Sequence, residues 1–205
     1  MYDIIVIGSG LAGATIAERF SSIDKKVLVI EKKNHIGGLC YDYYDENGLC
    51  IQEYGPHSFH TDDKKILDYL SKFTKWHHTS LKVKTFVDGM ILPMPINFDT
   101  LMMYLPTFEA NKWIQDLISE FGFGNKVSIA KMYNNTKTKD LAEFLFDKFY
   151  KNYSKKQWGK ELKIDDEVLE RVKINISRAS AYHSDQYKVF PKKGYTEMIK
   201  NMLAE

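Results

Sequence analysis

The chain has 205 residues, of which 44% are hydrophobic and 27% charged, and its 29 basic and 27 acidic residues leave a net charge of +2. This composition provides enough apolar mass for a core and excludes a disordered chain, while the longest apolar runs, Ile4 to Ile7 and Val27 to Ile30, fall far short of the roughly 18 residues of a spanning helix. Met1-Tyr2-Asp3 leads straight into a strand rather than a secretion signal, so a cytoplasmic location is expected, and Cys40 and Cys50 make no disulfide framework.

Asp3-Ile4-Ile5-Val6-Ile7 is a β-branched run that ends in Gly8-Ser9-Gly10-Leu11-Ala12-Gly13. Ala14 to Phe20 then reads as a helix with Ile16, Ala17 and Phe20 on its inner face, and Lys26 to Ile30 as a second buried strand closing on Glu31. Together they predict a βαβ unit. Asn34 to Gly38 is a turn-rich loop, Leu49 to Tyr54 a short strand, and Gly55 to Thr61 a break in regular structure. A helix follows at about Asp63 to Phe73, capped by Thr61 or Asp62. Asp88-Gly89 between Lys82 to Val87 and Met90 to Met94 is a hairpin signal. From Asp99 to about Ile176 apolar residues recur at three and four residue steps, which predicts an inserted helical subdomain. Gly194 to Leu203 reads as one more helix. The expected fold class is α/β, a Rossmann-like βαβ unit with a helical insertion, divided into residues 1–98, 99–176 and 177–205.

The chemistry-bearing pattern is Gly8-x-Gly10-x-x-Gly13, with a strand before it, a helix after it and an acidic residue at the end of the next strand. Gly8 permits the tight turn, Gly10 lets backbone approach a pyrophosphate, Gly13 lets helix pack on strand, and Glu31 can accept from a ribose hydroxyl. The stretch from Glu31 to Gly38 resembles the extension of flavoproteins of the glutathione-reductase and amine-oxidase type, which favours FAD over NAD; an ordinary surface loop is the alternative. His57 and His60 admit metal, catalytic or purely structural roles. Set beside Cys40 and Cys50, their spacing matches no common zinc site, so no metal is expected. Tyr150, Tyr153, Trp158 and Tyr182 read either as core packing or as a stacking site for a base or sugar. Lysines interleave with acids and no basic run exceeds a pair such as Lys155-Lys156, so neither a nucleic acid nor a membrane is an expected partner.

Several segments, in order, resemble the N-terminal half of the UDP-galactopyranose mutase family: Gly8 to Gly13, Lys26 to Gly38, Tyr54-Gly55-x-His57-x-Phe59-His60-Thr61, Lys156-Gln157-Trp158-Gly159 and Gly194-Tyr195-Thr196. The resemblance implies a flavin-dependent isomerase acting on UDP-galactose, in which N5 of the reduced FAD attacks the anomeric carbon as UDP leaves and the ring recloses at the other size. It implies FAD contacts at Gly8, Gly10, Leu11, Ala12, Gly13, Glu31, Lys32, Gly38, Leu39, His57 and Ser58, and a catalytic-region role for His60. Tyr153 is implied to stack on uracil and Trp158 to line the sugar pocket, with Phe149, Ser154 and Tyr182 completing the substrate wall. A homo-oligomer is compatible with this reading.

The chain departs from that pattern at several points. The family's loop arginine falls on Asn175, with Arg171 and Arg178 nearby, and an amide does not replace a guanidinium's charge. A family asparagine near the Lys82 strand is replaced by Ser80-Leu81, and the glycine pair before Tyr195 by Lys193-Gly194. Family members run to nearly twice this length, so the chain is expected to be a fragment, inactive alone. An amine-oxidase-type redox flavoprotein and a nucleotide-binding paralogue without catalysis are the rival readings.

Overall fold

A computed structural model describes residues 1–79, 81–159, 163, 170 and 172–204. It divides into two compact units, Met1–Ser80 with His183–Glu205, and Leu81–Tyr182. The second unit therefore takes in the β-hairpin and residues 177–182, whereas the sequence reading placed its boundaries after residues 98 and 176.

In the first unit, β1 (Ile4–Ile7) pairs in parallel with β2 (Val27–Ile30), joined by helix α1 (Leu11–Ser21). This is the expected βαβ unit. The helix's inner face differs from the periodicity reading: Ala14, Ala17 and Glu18 are buried, while Ile16 is 46% and Phe20 39% exposed. The reason lies at Gly13, where an added Cβ would stand 1.9 Å from the carbonyl oxygen of Gly8. So close an approach suits the small side chains of Ala14 and Ala17 where α1 lies against the strand and turn, while the larger Ile16 and Phe20 lie outside that contact. Buried Glu18 is ion-paired with Arg19 and accepts from the Tyr69 hydroxyl at 2.6 Å. Among the described residues the other face of the strand pair is open, with Ile5 and Ile7 exposed.

The rest of this unit is a hairpin of β3 (Asp42–Tyr44) and β4 (Cys50–Gln52), and a three-stranded sheet of order β5 (Phe59–Thr61), β11 (Tyr187–Pro191), β6 (Trp76–His78). Residues 59–61 are thus a strand, where the sequence predicts irregular chain, because Val189 and Lys188 supply its ladder partners from far along the sequence. Helix α2 (Lys64–Leu70) is capped by Asp63, whose side chain accepts from the Lys65 amide, rather than by Thr61 or Asp62. Helix α8 (Gly194–Leu203) packs on α1, and Ala14, Leu70, Phe73, Tyr195, Met198, Ile199 and Met202 form the core. Its N-terminus rests on buried Asp42: the carboxylate accepts from the amides of Tyr195 (2.6 Å) and Thr196 (2.9 Å). Gly194 lies at φ +85°, and a Cβ there would meet that carboxylate at 2.7 Å. Cys40 and Cys50 are free thiols, and burial pushes both above their ordinary pKa.

The second unit begins with the antiparallel hairpin β7 (Val83–Val87) and β8 (Met90–Met94), whose turn residues Asp88 and Gly89 have φ of 47° and 82°, as a two-residue turn that matches strand twist requires. Helices α3 (Phe98–Tyr104) and α4 (Thr107–Phe121) follow, α3 opening on a capping box between Asn97 and Thr100. The region is not wholly helical: β9 (Lys126–Ser128) pairs with β10 (Lys173–Asn175). Three-residue strands carry too little pattern to stand out among helical repeats. Between them come α5 (Ile129–Tyr133), α6 (Lys139–Leu145), a wide π turn over Phe146–Tyr150 and α7 (Lys151–Trp158). Leu92, Ile96, Leu117, Ile129, Met132, Leu141, Leu145, Ile174 and Ile176 are buried together in this unit's own core.

Candidate functional site

In the first unit the glycine turn and the end of β2 are tied together. Glu31 Oε2 accepts from the Ser9 amide (2.7 Å) and hydroxyl (2.8 Å), and Oε1 accepts from the Lys33 amide (2.9 Å). The Lys33 amide, followed by the Ser9 amide and hydroxyl, pulls the carboxyl down to about 2. The Lys32 amide also lowers it, more weakly, so the carboxylate is held where the glycine turn meets the end of β2. The loop from Glu31 closes back on the turn: the Gly37 amide donates to the Ser9 carbonyl (2.9 Å), and Gly37 bridges Gly10 in parallel fashion. Helix α1 starts at Gly10 with no side-chain cap and no acidic residue in its first turn. Its first amides, at Leu11, Ala12 and Gly13, therefore present an unneutralised positive helix end. Gly38 is half-buried, and Lys32 and Leu39 are exposed.

His57 and Ser58, both half-buried, precede β5. The Nδ1 of His57 is 2.7 Å from the Gly55 carbonyl; a carbonyl only accepts, so Nδ1 carries the proton and Nε2 is the acceptor in the neutral ring. His60, on β5, donates from Nδ1 to Asp185 Oδ2 (3.0 Å), and its ring stacks on His183 with centroids 3.6 Å apart. Ligand atoms of His60, His183 and Asp185 lie within 4.8 Å of one another, the one group among the described residues with metal-ligand types at such spacing. Neither His183 nor Asp185 stands out in the sequence; the pairing arises because β11 brings residues 125 positions away alongside β5. A separate open pocket of about 570 Å³ in this unit is walled by Lys33, His35, Tyr41, Tyr43 and Tyr54. There Tyr54 donates to His35 Nε2 at 2.9 Å.

The second unit holds a cavity of about 680 Å³, within the usual size for a small-molecule ligand. Phe149, Tyr153, Ser154 and Tyr182 all line it. Phe149 and Ser154 are buried and fix the wall, while Tyr153 is 63% exposed and presents a ring edge and face for stacking. Tyr150 also borders the cavity, and burial holds its hydroxyl well above the ordinary pKa. Trp158 is the last residue of α7. Lys84, Lys126 and Lys173 supply positive charge, and no described lining residue is a carboxylate. The sequence reading did not single out these lysines, whose only signal is alternation along short strands. Asn175 also lines the cavity, Arg178 is engaged by Asp99, and Arg171 and Ser80 lie outside the described residues.

Residues 6–73 match a family described as an NAD(P)-binding Rossmann-like domain, and residues 148–205 match the family described as UDP-galactopyranose mutase. The chain is 32% identical over 205 residues to dTDP-fucopyranose mutase of Escherichia coli, covering 99% of this chain and 54% of that protein. It is 34% identical over 212 residues to UDP-galactopyranose mutase of Mycoplasma genitalium, covering 99% of this chain and 52% of that one. A crystal structure of a reduced UDP-galactopyranose mutase superimposes with a TM-score of 0.68 at 18% identity, over 98% of this chain and 45% of that one. The chain spans about half the length of the curated relatives it matches.

Proposed function

Starting from a chain that belongs to the UDP-galactopyranose mutase family, we propose that it carries the dinucleotide cradle and nucleotide wall of an FAD-dependent isomerase that interconverts UDP-galactopyranose and UDP-galactofuranose. The observation that carries the reading is the cavity of the second unit, where Phe149, Tyr153 and Ser154 from one stretch share a concave surface with Tyr182 and with three lysines from elsewhere in the chain. Aromatic faces suit a pyrimidine, lysines suit a diphosphate, and both are needed for a UDP-sugar.

The first unit fits FAD on its own features. The uncapped α1 start, with the Gly8 to Gly13 turn and the amides of Leu11, Ala12 and Gly13, would hold the pyrophosphate, and the Glu31 carboxylate at the end of β2 would accept from a ribose hydroxyl, which would share it with or displace one of its present donors. Lys32, Gly38 and Leu39 would border the cofactor, with His57 and Ser58 nearer the ring. When bound and reduced, the flavin supplies nucleophilic character toward the sugar's anomeric carbon. The chain's residues position and neutralise. His60, with Nδ1–H committed to Asp185, keeps one ring orientation and offers Nε2 as the site where a proton is held or released. Tyr153 and Trp158 orient base and sugar, and the lysines offset the charge that grows on departing UDP.

The test is binding by the 205-residue chain, with FAD retention followed by absorbance after gel filtration and UDP-galactose affinity by calorimetry. FAD retention and a UDP-galactose site weakened tenfold or more by Tyr153→Ala are expected. Equal affinity for UDP-galactose in the Tyr153→Ala chain would overturn the proposed wall. The kinship to a dTDP-fucopyranose mutase favours one second reading, a dTDP-sugar as substrate; dTDP displacing UDP-galactose more strongly than UDP does would select it.

A further inference from the structure

Asn175 sits on β10 and is 3% exposed. Its backbone amide donates to the Ile96 carbonyl at 2.8 Å, and its side-chain Nδ2 donates to the Ala179 carbonyl at 2.8 Å. Ala179's oxygen can only accept, so the amide has one possible orientation, with nitrogen toward Ala179. The Asn97 side chain donates to the same oxygen at 3.2 Å and consolidates that arrangement. Asn175 Oδ1 is consequently fixed, buried and without a hydrogen-bond partner. Among the described residues it is the one buried side-chain polar atom so placed. Buried acceptors are almost always satisfied, and an exception calls for an explanation. Asn175 is one of the residues bordering the cavity that holds Tyr153 and Tyr182, and a ligand seated there that displaces the atoms covering Oδ1 can supply the missing donor.

The charge pattern says which part of a ligand that is. A carbonyl oxygen repels a phosphate oxygen, while Lys84, Lys126 and Lys173 attract one. Lys126 is the direct register partner of Asn175 across β9 and β10, so acceptor and cation stand on neighbouring strands. We propose that Asn175 Oδ1 accepts a hydrogen bond from a neutral donor of the bound pyrimidine nucleoside, and that these three lysines neutralise its diphosphate. This inference rests on the nucleotide-sugar reading above and assigns a recognition role within that site. Three groups of such a nucleoside share the required chemistry, the imide N3–H of the base and the 2′- and 3′-hydroxyls of the ribose.

Calorimetry with UDP, 3-methyl-UDP, 2′-deoxy-UDP and 3′-deoxy-UDP tests it on the unaltered chain. A site built around a buried acceptor discriminates strongly against a ligand lacking the donor, so one analogue should bind at least about tenfold more weakly than UDP; loss with 3-methyl-UDP identifies the imide, and loss with 2′-deoxy-UDP or 3′-deoxy-UDP the corresponding hydroxyl. In Asn175→Ala, folded as judged by circular dichroism, that discrimination should fall to within about twofold. If UDP binds and all three analogues match it, or if the discrimination persists in Asn175→Ala, the role of Asn175 is overturned while the nucleotide site stands. If UDP itself does not bind, the nucleotide reading falls first.

Discussion

Replacing Asp42 with alanine should loosen helix α8 without touching the second unit. The carboxylate accepts from two amides at the start of that helix, Tyr195 at 2.6 Å and Thr196 at 2.9 Å, in a place where Asp42 is only 4% exposed. Removing an N-terminal cap costs about 0.5–2 kcal/mol, and leaving a buried donor unsatisfied costs about 1–3 kcal/mol. The Thr196 hydroxyl still bonds the backbone amide and carbonyl of residue 42, so the chain retains part of the clamp and the net loss should be about 2–4 kcal/mol. At about 1.4 kcal/mol per tenfold, amides of α8 should exchange with deuterium roughly thirtyfold to several-hundredfold faster. Hydrogen exchange read by mass spectrometry resolves this, with peptides from α6 as the internal reference. Asp42→Asn should fall between, since one oxygen still accepts while the amide nitrogen opposes the second N–H. Unchanged α8 protection in Asp42→Ala, within about threefold, would refute the capping argument.

Gly13→Ala should abolish FAD retention, because its Cβ would lie 1.9 Å from the Gly8 carbonyl oxygen and α1 must move to admit it; retention equal to the unaltered chain on gel filtration would contradict this. Glu31 has a folded-state pKa of about 2 against an ordinary 4.5, so its stabilising contribution is complete above 4.5 and is lost as pH falls from there through 2. The difference in urea midpoint between the unaltered chain and Glu31→Gln should therefore shrink across that window, and parallel curves would count against the Ser9 and Lys33 bonds. Leu145→Ala, at a site with no exposure in the second unit's core, should lower unfolding free energy by about 2–5 kcal/mol, measured by urea denaturation.

The βαβ unit was legible because its signals are local: a β-branched run, a glycine turn and a second run, each read within a few residues. The sheet of β5, β11 and β6 was not, since Trp76-His77-His78 has neither alternation nor β-branching and becomes a strand only against Phe190 and its neighbours. The inner face of α1 was misread for a related reason. Periodicity reports which residues are apolar, whereas Gly13 sets how near the helix lies to the turn and hence which sizes fit. The same division holds at the candidate site. The aromatic wall residues are conspicuous along the chain, but the bond from His60 to Asp185 and the unpartnered oxygen of Asn175 exist only once distant strands are paired.

The π turn between α6 and α7 gives chain length a role of its own. There the Lys151 amide reaches back five residues to the Phe146 carbonyl, so Phe146–Tyr150 holds one residue more than an α-helical turn would. Each residue of an α-helix advances by about 100° around the axis. The direction in which α7 offers Tyr153 and Ser154, relative to α6, is thus set by that extra residue. Deleting Asp147, which does not line the cavity, would keep every side chain of the wall and turn Tyr153 and Ser154 by about 100° relative to α6, so the spacing is as much a part of the wall's specification as the rings themselves.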